Sequence, residues 1–283
     1  MKDWRWAAFM IPGSFLVVFL GIPLLKLFIV ALSEKEATSA VAHFYFQPLY
    51  IRAFFNTLFI SASVALACAL FGAPTAYLLA LSSPRRARLI FAIATASMWL
   101  SVLVRSYAWT VLLQKTGPLS MFLQLVGILD GPKSFLFTRG SVILGMCHIL
   151  LPYMILIIWA SIARDGGDLR QLAYILGASP WFYVSKVLLR QSIGGIVGGV
   201  VIVFILSLGF YITPELLGGG RGETMMMGVL IDQQVNSFGK WRSGGVLSLY
   251  LIGFVGLLWS ITWSTSLFRH LLEEPEPRGA GDA

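Results

Sequence analysis

The chain has 283 residues, of which 57% are hydrophobic and 12% charged, and its mean hydropathy is +0.80. That much apolar surface does not fit inside a water-soluble core, so the composition excludes a soluble globular domain and makes the bilayer the solvent. The 21 basic and 13 acidic residues give a net charge of +8; the basic residues sit in short loops rather than in one patch interleaved with aromatics, which points to anionic lipid and orientation and away from nucleic acid.

The first expected span is 6–32. Its apolar run is too long for a signal peptide and no convincing small-residue cleavage signal follows it. Pro12 and Pro23 are expected to kink it, and Lys26 to snorkel toward the headgroups. After a polar and aromatic connection, the second span, 55–81, opens with Asn56 and Thr57 and contains Pro74. The short loop that follows carries Arg85, Arg86 and Arg88, a density that places it in the cytoplasm. The third span, 89–113, holds Arg105, a charge that is costly in hydrocarbon and is expected to find carbonyls or a carboxylate such as Glu215. Residues 115–140 form a loop, with turn signals at Gly117, Pro118, Gly131 and Pro132 and apolar pieces too short to cross. The fourth span is 141–163, the fifth 193–214 and the sixth 245–267, with a polar tail, 268–283. Six spans put both termini on the cytoplasmic side, in a single all-α integral membrane domain.

Cys68 and Cys147 fall inside apolar spans and read as small core residues. In the fifth span Gly194, Gly195, Gly198 and Gly199 form overlapping small-xxx-small pairs that admit a close helix neighbour. Pro214 is expected to end that helix, and Gly218–Gly220 to form a turn. This glycine run lacks the Lys and Ser/Thr of a nucleotide loop.

Between the fourth and fifth spans, 164–192 behaves as an amphipathic surface. Leu169, Leu172, Ala173 and Leu176 recur at helical spacing, with Asp168, Arg170 and Gln171 off that stripe. The helix should end at Gly177; Ala178 follows, and Ser179-Pro180 reads as the N-cap and first residue of a second helix carrying Trp181, Val184 and Leu188 along one side. Without further information this is either a docking surface or a helix lying on the membrane.

The residues QLAYILGASPWF resemble the cytoplasmic EAA loop of the membrane subunits of ABC importers. In that family a Glu-Ala-Ala triplet precedes a Gly, and the loop forms a coupling helix that docks into the ATPase subunit. Ala173, Gly177, Ala178 and Ser179 match, while Gln171 stands for the family Glu and Arg190 for a Pro. SVLVRSYAWTVLL in the third span, ITPELLGG after the fifth, and Gln233, Gln234 and Trp241 resemble the spermidine/putrescine type of these permeases over nearly the whole chain. The resemblance implies the MetI-like fold and a bacterial inner-membrane location. As partners it implies a second permease subunit, with a heterodimer favoured, two ATP-binding subunits, and a periplasmic or lipid-anchored solute-binding protein. It implies no cofactor.

The sequence offers no chemistry on a substrate. His43, His148 and His270 are scattered without paired carboxylates or metal-ligand spacing, and no GxxxxGK[ST] occurs. Energy must come from an ATPase partner or an ion gradient, so an importer subunit stands against an ion-coupled carrier and, more distantly, a membrane-embedded enzyme. A carrier usually places ionisable residues at mid-membrane, and apart from Arg105 and His148 these spans have almost none. For a small polar, cationic solute such as a polyamine or an opine-like amine, Tyr107, Trp109, Tyr211 and Glu215 are candidate pathway residues, because aromatic faces and a carboxylate suit an amine. The same aromatics also suit an interfacial belt or plain packing. A cation is a poor direct ligand for an amine, so Arg105 is expected to play a structural or gating part.

Overall fold

In hydrocarbon a backbone N–H or C=O has no water to pair with, so long apolar runs satisfy their own hydrogen bonds as helices. The computed structural model describes residues 13–15, 17–32, 48–163, 172–173 and 175–264, and all regular structure among them is helical. α1 (Ile22–Leu32) follows a π-helical turn, and α2 (Pro48–Leu81) starts on a proline whose missing N–H costs nothing at a first turn. α3 (Pro84–Ala96), α4 (Val102–Leu113) and α5 (Pro118–Leu125) lead to α6 (Arg139–Ala163). α7 (Pro180–Leu208), α8 (Ile212–Gly218), α9 (Met227–Asp232) and α10 (Trp241–Ser264) complete the order.

Among the described residues four of these, α2, α6, α7 and α10, are long and apolar enough to cross a membrane, and α3 with α4 and α5 forms a bent apolar pair, a broken span or a re-entrant loop. Of the expected first span only residues 13–15 and 17–32 are described, where Gly13–Lys26 is a shorter apolar helix. The tail and the end of the sixth span lie outside the described residues.

Two expected spans differ in the structure. The third, 89–113, is not straight: the chain is extended at Leu100 and Ser101, and the helices on either side meet at 97°. No Gly or Pro marks the break. Its effect is to turn α4 onto α6 and α8, where Ser106 and Thr213 share a 2.8 Å hydroxyl hydrogen bond. The fifth helix ends at Leu208 rather than at Pro214. Gly209 turns the chain, and Pro214 instead sits in the first turn of α8, where a proline is tolerated.

The core is the three-way packing of α2, α6 and α7. Lipid tails are as apolar as leucine, so helices associate through close fit rather than through removal of water. Gly195 and Gly199 supply that fit: a Cβ on Gly195 would collide with Ser161 and lie 3.1 Å from the Ile158 Cα, and one on Gly199 would lie 2.5 Å from the Met154 Sδ. Gly72 brings α2 onto the same Met154, and the Tyr77 hydroxyl bonds Ser192 at 2.7 Å. Gly198 faces open space.

At the end away from the 164–192 loop, the segment after α7 folds back and is bolted down by polar contacts. Asn56 Nδ2 donates to the Gly222 and Met225 carbonyls at 2.9 and 3.2 Å, and its Oδ1 accepts from Arg139 Nη2 at 3.2 Å. Thr57 Oγ1 accepts the Met227 N–H at 2.8 Å and donates to Ala53. Arg139 also meets Glu223 at 3.6 Å and lies over the Phe59 ring.

The glycine contacts predict a contrast. Gly195→Val overpacks the α6–α7 crossing and should destabilise the solubilised protein by about 1–3 kcal/mol, seen as a lower Tm. Gly198→Val, in open space, should leave the Tm nearly unchanged. Equal shifts for the two would contradict this packing.

Candidate docking surface and pathway residues

The loop between α6 and α7 is shaped by local chemistry. Leu176 N–H bonds the Leu172 carbonyl, and Ala178 N–H reaches back to the Ala173 carbonyl at 2.9 Å across Gly177, whose φ is +79°. This is a left-handed helix end, which glycine adopts without a Cβ penalty. Two residues later the Ser179 hydroxyl accepts the Phe182 N–H at 3.2 Å and Pro180 begins α7. The expected turn and cap are both present.

What the loop presents is apolar. Ile175 is 79% exposed, Leu176 84% and Trp181 79%, with Leu172 and Phe182 more than half exposed beside them. An exposed apolar cluster on a polar loop marks an interaction site. Ala173 differs from Leu172 and Leu176 of its expected stripe, being half-buried against the core, and Ala178 is likewise half-buried. Asp168, Leu169 and Gln171 lie outside the described residues.

The expected side of Trp181, Val184 and Leu188 is also corrected, since Leu188 is fully buried while Trp181 points outward. Residues Tyr183–Leu188 are π-helical, and the wider turn shifts the register of every later side chain. Tyr183 and Leu188 therefore anchor α7 to the core while Trp181 stays free of it.

The candidate pathway residues fall into two groups. On α4, Arg105 is only 6% exposed, and its Nε and Nη1 have no hydrogen-bond partner among the described residues. The expected bond to Glu215 is not formed. Glu215 lies instead beside Gly220, whereas Arg105 faces α6 near Tyr153 and His148. One turn along, Trp109 Nε1 donates to His148 Nδ1 at 3.2 Å, which holds His148 in its Nε2–H tautomer, and the two rings pack edge to face. Tyr107 is on the exposed side of the same helix.

The second group stands at the entrance to α8. Tyr211 is its half-exposed N-terminal flank and Glu215 lies one turn on. Tyr211 opens into a cavity that also takes in Asp232 and Asn236, which sequence reasoning did not single out. They arrive there because α9 folds back against the end of α7. Gly228 permits this approach, since a Cβ on it would lie 2.6 Å from the Phe210 carbonyl oxygen. The glycine alone hinted at it. Among the described residues no three His, Cys, Asp or Glu side chains gather as a metal site.

Comparison with known proteins agrees with this architecture. Residues 70–274 match the family described as binding-protein-dependent transport system inner membrane component. The spermidine/putrescine transport system permease protein PotB of Escherichia coli (strain K12) is 29% identical over 221 residues, 78% of this chain and 79% of that protein. The inner membrane ABC transporter permease protein YdcU of the same organism is 31% identical over 234 residues, 78% of this chain and 74% of that one. A chain of the bacterial alginate ABC transporter, solved in complex with an alginate pentasaccharide-bound periplasmic protein, shares the fold with a TM-score of 0.76 at 17% identity, covering 96% of both chains. These relationships set aside a lone ion-coupled carrier and a membrane-embedded enzyme. The chain belongs to the binding-protein-dependent inner membrane component family and is a multi-pass permease subunit of an ABC importer.

Proposed function

We propose that this permease forms half of an import pathway for polyamines of the spermidine/putrescine class, paired with a second and different permease subunit. The observation that carries the solute is the similarity to PotB over nearly four-fifths of the chain. The half-exposed Tyr211 and the nearby Glu215 carboxylate support it, because a protonated amine is stabilised by both aromatic faces and acids. Arg105, buried behind Trp109 and His148, acts in this reading as a positioning or gating residue rather than as a ligand.

The loop at 164–192 faces the cytoplasm in this reading, as the arginines at 85, 86 and 88 favour, and a solute-binding protein delivers from the opposite side. Two ATPase subunits serve the permease pair, and the exposed cluster of Leu172, Ile175, Leu176, Trp181 and Phe182 seats one of them. The mechanism follows from continuity. α7 runs unbroken from Pro180, within the loop, to Leu208 at the far end, a distance of about 40 Å at roughly 1.5 Å per residue. When ATP closes the ATPase subunits, movement of the seated loop is carried along α7, and through its glycine contacts along α6, to the segment holding Tyr211. Access then alternates between the two sides.

Uptake of labelled putrescine and spermidine by cells lacking this protein tests the solute: uptake should fall and be restored by the gene, and unchanged uptake of both would end the polyamine reading. The docking surface is tested separately. Leu172→Asp places an unpaired carboxylate in an apolar seat at a cost of several kcal/mol, so the variant should insert normally yet fail to copurify with the ATPase. Gly177→Val forces a β-branched residue to a φ of +79° and should weaken association as well. Gln171→Glu should associate at least as well as the natural chain. Full association of both Leu172→Asp and Gly177→Val would mean that the ATPase seats elsewhere.

A further inference from the structure

The cavity beside Tyr211 lies at the end of α7 away from Pro180, between the end of α7, α9 with the turn after it, and the middle of α10 at Leu251. It measures about 320 Å³ and combines Tyr211, Asp232 and Asn236 with an aliphatic wall of Ile231, Val235 and Leu251. That volume falls within the range of small-molecule sites.

Several independent features favour a positive charge here. The Asp232 carboxylate is half-buried, and among the described residues no lysine or arginine pairs with it. Its one partner is Asn236, whose Nδ2 donates to Oδ1 at 2.7 Å, an arrangement that fixes the carboxylate without neutralising it. The C-terminal end of α7 abuts the cavity at Gly209, and a helix C-terminus carries partial negative charge. Tyr211, 42% exposed, adds an aromatic face. Asp232 is also followed directly by the π-helical turn Gln233–Ser237, a distortion often found at functional sites. The Asp232–Asn236 pair is open to solvent, so an organic cation entering the cavity can reach the carboxylate directly.

We infer that Asp232, Tyr211 and Asn236 form a subsite for the ammonium group of a diamine or polyamine. The aliphatic wall of Ile231, Val235 and Leu251 accommodates the methylenes between its charges. The subsite receives solute at the end opposite the ATPase seat, where α7 terminates, so movement of that helix opens or closes it. Neither Asp232 nor Asn236 belongs to the group of Tyr211 and Glu215 suggested by sequence. This inference rests on the polyamine reading for its solute but not for its charge preference.

The test uses the complete importer with its solute-binding protein in proteoliposomes. Loss of one charge-assisted contact is worth about tenfold or more. Asp232→Asn should therefore raise the KM for putrescine uptake by about tenfold, with a smaller change in maximal rate, whereas Asp232→Glu should stay within roughly threefold. An unchanged KM for Asp232→Asn overturns the subsite. If the natural importer moves neither putrescine nor spermidine, the polyamine reading falls and a second measurement decides the subsite. In a Cys68→Ala, Cys147→Ala background, Leu251→Cys should react faster with a trimethylammonium-bearing thiosulfonate than with a sulfonate-bearing one. Asp232→Asn should remove most of that preference, and an undiminished preference overturns the proposal.

Discussion

The contact on which the rest depends is the glycine-mediated crossing of α6 and α7. Inside a bilayer the apolar surfaces of two helices gain nothing by leaving lipid for each other, so only a fit closer than lipid can provide holds them together. Gly195 against Ser161 and Gly199 against Met154 give that fit, and Gly72 brings α2 onto the same methionine. One methionine side chain thus joins three helices. Because α7 also begins inside the loop that follows α6, this crossing joins that loop to the membrane core, as the proposed ATPase seat requires.

The opposite end is held by different physics. There the chain leaves helical geometry after Leu208 and must satisfy its backbone by other means. Asn56, Thr57, Ser141 and Arg139 do so with side chains drawn from the third turn of α2 and the first turn of α6; Ser141 and the Phe137 N–H both bond the Leu217 carbonyl. Irregular backbone at membrane depth is tolerated where protein or a cavity surrounds it. The segment from Tyr211 to Asn236 meets that condition, with Tyr211, Asp232 and Asn236 lining a cavity.

Features set by neighbouring residues were readable in the sequence. The turn at Gly177, the Ser179 cap with Pro180, and the packing role of Gly195 and Gly199, though not of Gly198, need only short-range pattern, and the structure has them. Features set by distant contacts were not readable. The bend at Leu100–Ser101 has no Gly or Pro to announce it, and hydropathy cannot separate a straight apolar run from a folded one. Trp181 and Leu188 separate because a π-helical turn shifts the register that a 3.6-residue period assumes. Arg105 fails to meet Glu215 because α8 places that carboxylate beside Gly220, and Asp232 joins Tyr211 only because α9 returns against α7.

The central claim is that the apolar loop is the seat of the ATPase, and protection of that loop tests it most directly. Leu176→Cys, with Cys68 and Cys147 replaced by Ala, can be labelled with a maleimide in membranes containing the permease pair with and without the ATPase. The account predicts rapid labelling of the permease alone, as its 84% exposure requires, and strong protection once the ATPase is bound. Equal labelling in both membranes would contradict it.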